Sequence, residues 1–263
     1  MPAVKPKKSL GQHFLKDEKI ASKIADTLND FRDLPVLEVG PGMGVLTKFL
    51  LSGGYDVKVA EIDGESVDYL KQNYPRLDEE NRIIEGDFLR IDLQDVFPGR
   101  DKISVIGNYP YNISSQIFFH VLDYRDTVEC CSGMLQKEVA ERLAAKPGSR
   151  EGGILSVLLQ TWYDIEYLFT VPPEVFLPPP KVNSGVIRMV RNGRKELGCD
   201  EKLFKTVVKT AFGQRRKTIR NSIKGLIPPG KELPDSSLLS MRPEQLGVEQ
   251  FVELTDLIFS LRD

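Results

Sequence analysis

The sequence predicts an α/β fold: a seven-stranded, mainly parallel sheet with helices on both faces over residues 1–190, then a small all-helical domain over 191–263. Three observations predict it. Short apolar runs alternate with segments of helical spacing through about residue 190. Those runs end in Gly, Glu, Asp and Asn, on the edge where open parallel sheets bind ligands. After Asn192-Gly193-Arg194, a linker by composition, only helical periodicity remains.

The first strand, Pro35–Val39, runs into Glu38-Val39-Gly40-Pro41-Gly42-Met43-Gly44, and Val45–Leu51 follows with helical spacing. Glycines in such a turn let a ligand approach the backbone, and the helix amino end offers free N–H groups. A dinucleotide fingerprint requires Gly-x-Gly-x-x-Gly, whereas Gly40, Gly42 and Gly44 alternate and position 45 is Val. Asp56–Ile62 is the second strand, and its Glu61 lies about 20 residues past Gly40, where a carboxylate takes two ribose hydroxyls. Arg82–Phe88 is the third, with Asp87 placed to accept from an adenine amino group. The fourth, Ile103–Gly107, delivers Asn108-Tyr109-Pro110-Tyr111. Thr127–Leu135, Glu166–Val171 and Val182–Val190 complete the sheet, the last two joined by a proline-rich crossover that carries Phe176.

The Asn108–Tyr111 loop names a chemistry. Asn108 offers a side-chain oxygen and residues Tyr109 and Pro110 offer backbone carbonyls, acceptors for both hydrogens of an exocyclic NH2, while Tyr111 can stack on the ring. Glycine turn, ribose acid, adenine acid and amine loop fall after four successive strands. That order fits S-adenosyl-L-methionine better than a phosphate-bearing cofactor. The loop holds no cysteine, which excludes the covalent route to cytosine C5 methylation.

With these residues in place, the chain resembles the ribosomal RNA adenine dimethylase family, in its KsgA-type branch, almost end to end. The resemblance is carried by the amine loop, by Lys8-Ser9-Leu10-Gly11-Gln12-His13-Phe14-Leu15, by the segment from Val171 to Ser184, and by Ala211-Phe212-Gly213-Gln214-Arg215-Arg216-Lys217-Thr218-Ile219-Arg220-Asn221-Ser222. It implies a Rossmann-like class I methyltransferase with S-adenosyl-L-methionine as cofactor. It assigns cofactor contacts to His13, Leu15, Gly40, Glu61, Asp87 and Asn108, beside Gly42 of the glycine turn. Phe176 is implied to close on the target base. Tyr109 departs from the family's usual Leu or Ile, and a changed pocket wall with an unchanged reaction is expected. The implied reaction is N6,N6-dimethylation of two adjacent adenosines in the 3′-terminal hairpin loop of 16S rRNA, late in small-subunit assembly. Two other readings stay open: an Erm-like methylase of large-subunit rRNA, and a mainly structural assembly factor.

Composition sets bounds. At 263 residues with 41% hydrophobic content, the chain can bury a substantial core. No run of eighteen apolar residues occurs, so no membrane association is expected and the cytoplasm is the expected location. Three cysteines, with Cys130 and Cys131 adjacent in an apolar run, read as buried thiols, and with only two histidines no metal site is expected. A monomer is the expected state.

The net charge of −2 hides an asymmetry. Between 202 and 231 there are nine Lys or Arg and no Asp or Glu. Helix Lys202–Phe212 has an apolar set in Phe204, Val207, Val208 and Ala211. Beyond Gly213-Gln214 a second helix is predicted, with Ile219, Ile223 and Leu226 on one stripe and Arg216, Arg220 and Lys224 at i, i+4, i+8 on another. Such a helix-turn-helix-like pair can lay cations on phosphates. Arg215, Arg216, Lys217, Arg220 and Lys224 are therefore the candidate RNA contacts. Lys5, Lys7 and Lys8 read either as a second RNA-touching arm or as a free tail.

Overall fold

A computed structural model describes residues 4–149 and 151–262. In chain order the elements are β1 (Phe14–Leu15), α1 (Glu18–Ala25), β2 (Val36–Val39), α2 (Val45–Ser52), β3 (Val57–Glu61), α3 (Gly64–Asn73), α4 (Pro75–Glu79), β4 (Ile83–Glu85), β5 (Ile103–Asn108), α5 (Ser114–Asp123) and β6 (Val128–Gln136). There follow α6 (Lys137–Leu143), α7 (Ile154–Gln160), β7 (Tyr163–Val171), β8 (Phe176–Leu177), β9 (Ser184–Arg191), α8 (Glu201–Gly213), α9 (Ile219–Ser222) and α10 (Val248–Phe259).

The chain forms two compact units. One takes the residues up to Ala140 together with Ile165–Arg191, and the other takes Glu141–Asp164 together with the chain from Asn192 onward. The boundary at 190/191 drawn from sequence differs from this, because α7 groups with the carboxyl-terminal helices. A seven-residue apolar segment such as Ile154–Gln160 carries too little periodicity to reveal its partner.

In the first unit seven strands pair in the order β4-β3-β2-β5-β6-β9-β7. β2–β3, β2–β5, β3–β4 and β5–β6 are parallel, and β6–β9 is antiparallel. All four residues of β2 are buried, as expected of a central parallel strand covered on both faces. Val39 is level with both Ala60 and Gly107, so β2, β3 and β5 end together at one edge. The strand order reverses between β2 and β5, and the crevice beyond such a switch point is where α/β sheets bind ligands. β4 stops earlier than the sequence predicts. Gly86 turns the chain there with φ +156°, and Asp87 caps a short 3-10 turn at Phe88–Arg90 instead of ending a strand.

In the second unit Phe204, Val207, Val208 and Ala211 of α8 are buried, as are Phe251, Leu254 and Ile258 of α10. The Phe212 and Phe251 rings stack at 6.0 Å. Asp200 caps α8 by accepting the Leu203 N–H at 2.6 Å. The linker Asn192-Gly193-Arg194 is held by hydrogen bonds: the Asn192 N–H donates to the Trp162 carbonyl at 3.1 Å, and the Arg194 N–H donates to Asn192 Oδ1 at 3.1 Å.

The second basic helix is much shorter than predicted. Residues 214–216 form a turn and Lys217 a bend, α9 covers only Ile219–Ser222, and a 3-10 turn takes Lys224–Leu226. Gly225 and Pro228-Pro229 prevent a longer helix. Arg216, Arg220 and Lys224 therefore do not share one helical stripe, although Arg215, Arg216, Lys217, Arg220 and Lys224 are all exposed. Arg220 lies 3.7 Å from Asp235. Ile219 and Ile223 are buried as the apolar pattern required.

Candidate active site

At the carboxyl edge of β2, β3 and β5 the first unit holds a cavity of about 290 Å³. His13, Gly40, Gly42, Glu61, Asp87, Asn108, Tyr109, Pro110 and Tyr111 all line it. Residues far apart in sequence are thus brought to one cleft by parallel strands that end level.

The glycine turn shapes one wall. Gly42 has φ +56°, and a Cβ there would stand 2.8 Å from the Phe14 ring, so both backbone and space demand glycine. At Gly44 the space is taken by Tyr74, whose hydroxyl donates to the Gly44 carbonyl at 2.7 Å. Gly44 consequently serves packing, not ligand approach.

Glu61 is 4% exposed, and backbone N–H groups of Gly42 (3.0 Å, to Oε2) and Asp63 (2.9 Å, to Oε1) fix both its oxygens. Burial raises its carboxyl above the ordinary range, opposed by these N–H bonds. Each carboxylate oxygen keeps a lone pair for a further donor. Asp87 Oδ1 accepts the Leu89 N–H at 3.0 Å, and its Oδ2 lies 3.9 Å from the exposed Arg90.

The Asn108 carboxamide is oriented: its Nδ2 donates to the His13 carbonyl at 2.9 Å, which leaves Oδ1 as the acceptor. The His13 ring stands 5.5 Å from that of Tyr111, and its Nδ1–H donates to the Pro178 carbonyl at 2.7 Å. Tyr111 and Ser184 hydroxyls share a 2.6 Å hydrogen bond. The amino-terminal segment and β9 therefore both fasten the amine loop.

Two sequence assignments fall elsewhere. Phe176 is 1% exposed and does not line the cavity. In the β1–β8 pair, Leu15 sits opposite Phe176 and Phe14 opposite Leu177, so Phe176 points into the core while Leu177 is 52% exposed. Leu15 likewise packs in the core, beside a smaller void shared with Glu38 and Asn108. Tyr109 lines the cavity, while its hydroxyl end is buried against β6.

Sequence reasoning missed two groups, Glu38 and Asp63. Glu38, 1% exposed, accepts from Thr47 Oγ1 at 2.7 Å, and burial pushes its carboxyl up to about 8. A charge inside an apolar strand run was the available signal. Asp63, 3% exposed, receives Lys7 Nζ, Gln12 Nε2 (3.4 Å) and Ser66 Oγ (2.8 Å). Lys7 also pairs with Glu65 at 3.2 Å, so this part of the basic arm is tied to the loop after β3 and is not a free tail.

The cavity fits a nucleoside cofactor without phosphate: two carboxylates and apolar Val39, Ala60, Ile62 and Phe88 line it, and neither Lys nor Arg is among the described lining residues. No group of three or more His, Cys, Asp or Glu among the described residues could hold a metal ion. No helix among them is long and apolar enough to cross a membrane.

Sheet and cleft together define a Rossmann-like class I methyltransferase. The chain belongs to the ribosomal RNA adenine dimethylase family, whose model matches residues 3–259. Its methyl donor is S-adenosyl-L-methionine. It is 69% identical over 257 residues to the ribosomal RNA small subunit methyltransferase A of Parabacteroides distasonis, covering 97% of this chain and 94% of that one. To the protein of the same description from Porphyromonas gingivalis it is 63% identical, covering 98% and 99%. Among solved structures, a dimethyladenosine transferase from Plasmodium falciparum shares the fold, with TM-score 0.72 at 24% identity over 95% of this chain and 98% of that one. The 23S rRNA methyltransferase ErmE superposes with TM-score 0.67 at 26% identity, covering 92% and 99%.

Proposed function

We propose that this enzyme transfers methyl groups to N6 of two adjacent adenosines in the 3′-terminal hairpin loop of 16S rRNA, giving N6,N6-dimethyladenosine, late in small-subunit assembly in the cytoplasm. The observation that carries the chemistry is the oriented Asn108 amide in a loop held to His13 and Ser184. The 56–69% identity to small-subunit methyltransferases, against 26% to ErmE, favours the small subunit.

Glu61 holds the cofactor's ribose diol and Asp87 its adenine amine, while His13, Gly40, Gly42 and Asn108 line the remainder. When bound, the cofactor supplies an electrophilic methyl on a positively charged sulfur. The adenine N6 lone pair is delocalised into its ring and is a poor nucleophile. Asn108 Oδ1 and the carbonyls of Tyr109 and Pro110 accept the amine hydrogens, turning the lone pair toward the methyl. Tyr111 stacks on the base, worth about 1–3 kcal/mol for one aromatic face. Each transfer would form one N6–carbon bond as the sulfur–methyl bond breaks with its electron pair left on sulfur, giving a neutral thioether, and the acidified N6 would lose its proton to water. No side-chain base is needed, and positioning with electrostatic alignment carries the catalysis. Arg215, Arg216, Lys217, Arg220 and Lys224 bind rRNA phosphates.

The test is methylation of purified small and large subunits from cells lacking the gene, with mass spectrometry of the rRNA. N6,N6-dimethyladenosine in the small subunit is expected; modification confined to the large subunit would establish the Erm-like alternative.

A further inference from the structure

Tyr109 lines the cleft, and the far end of its side chain runs back against β6. Its ring is 1% exposed and lies back across β5 and β6, whose register places Gly107 opposite Gly133. These two glycines form its seat. A Cβ on Gly107 would stand 3.0 Å from Tyr109 Cε1, and one on Gly133 would stand 2.7 Å from Cε2. Phe118 meets the ring edge-on, with centroids 5.4 Å apart.

The phenol is bonded as closely as the ring is packed. Its hydroxyl donates to the Ser132 carbonyl at 2.7 Å. With that single proton used, the Cys131 thiol 3.3 Å away is the donor to the phenol oxygen. The Tyr109 backbone N–H meanwhile donates to the Met134 carbonyl at 2.9 Å. Residue 109 is thus fastened to β6 twice, through its backbone and through the far end of its side chain. An aliphatic side chain could fill a core position; it could not tie the loop to a particular carbonyl.

We propose that Tyr109 is a positioning residue for methyl transfer, its phenol bonded to Ser132 and seated on Gly107 and Gly133 so as to fix the carbonyls of residues 109 and 110 for the adenine amine. The inference rests on the N6-methylation reading above. Productive geometry tolerates displacements of about half an ångström, which a loop end secured at one point does not guarantee. The second transfer is the more sensitive. A monomethylated amine has one N–H left, so one acceptor bond has to do the aligning that two did before.

Tyr109→Phe and Tyr109→Leu, assayed on small subunits from cells lacking the gene, test this. For Tyr109→Phe we expect unchanged cofactor affinity by calorimetry, KM values near wild type, and kcat reduced by about tenfold or more, with N6-monomethyladenosine accumulating. Tyr109→Leu should show the same product shift on a less stable fold. Wild-type kcat and product ratio in Tyr109→Phe would overturn the proposal, whether or not Tyr109→Leu is impaired, because ring volume alone would then suffice. Failure of Tyr109→Phe to fold or to bind cofactor would overturn it too, assigning the phenol to the core. Absence of methylation by the wild-type protein would instead defeat the underlying reading.

Discussion

Asn108 and His13 hold each other through one hydrogen bond, from the carboxamide Nδ2 to the backbone carbonyl at 2.9 Å. The bond links the end of β5 to a segment nearly a hundred residues earlier. It also decides which atom of Asn108 is free to accept.

Replacing Asn108 with Ala removes that acceptor and the tie to the amino-terminal segment together. Methyl transfer in single turnover should fall by at least about a hundredfold. Cofactor affinity should drop only modestly. Near-normal turnover would show that the amine is held by other groups.

Glu61→Ala should weaken S-adenosyl-L-methionine binding in calorimetry, by about tenfold or more, as expected when charge-assisted hydrogen bonds are removed. Asp87→Ala should cost less, because Asp87 is only half-buried and already engaged by the Leu89 N–H. A folded Glu61→Ala protein with unchanged affinity would remove the ribose assignment.

Glu38 gives a pH dependence. Burial is the main cause of its rise to about 8, with the charge of Glu61 adding to it and the Thr47 bonds opposing it. From its ordinary 4.5 up to about 8, the folded chain keeps a proton that the unfolded chain releases. Stability from this group is therefore fully present below the ordinary value, declines as pH rises, and is lost above the folded one. Glu38→Gln can still accept from Thr47 and cannot ionise. Urea unfolding across pH 5 to 9 should show the variant gaining on wild type by on the order of 1 kcal/mol per pH step in that window. Parallel curves would mean that Glu38 is ionised in the native protein.

Arg216, Arg220 and Lys224 replaced by Glu should weaken small-subunit binding and flatten its salt dependence, by about one unit of slope for each phosphate that is no longer neutralised. Cofactor affinity should not move, since every described residue lining the cleft belongs to the other unit. An unaltered salt slope would reduce these charges to a solvated surface.

The strand ends were legible in the sequence because a parallel strand buried on both faces must be an apolar run, and the first polar group after it marks the ligand edge. Hence the pattern alone places Gly40, Glu61, Asp87 and Asn108 at one cleft. Side-chain direction was not legible in the same way. Whether Phe176 faces the cleft depends on its register against Leu15 in a two-residue pair, and a one-residue slip would reverse it. The partners of Asp63 were hidden for a different reason: Lys7 and Gln12 come to it from across more than fifty residues, a closure that no local pattern encodes. The basic stretch was legible in charge and not in shape, because Gly225 and two prolines interrupt what the spacing alone would make a helix.

The helical unit takes its chain in two visits, 141–164 and from 192 onward. A gene cut after Arg191 would therefore not liberate a tidy catalytic fragment. It would leave Val157, Leu158 and Leu159, buried in the intact protein, without the α8 and α10 side chains that share their unit. The severed piece would begin at Asn192 and lack α7 altogether. Exchange of the helical unit at a single junction would accordingly leave α7 behind, so replacing it whole takes a junction at each visit of the chain.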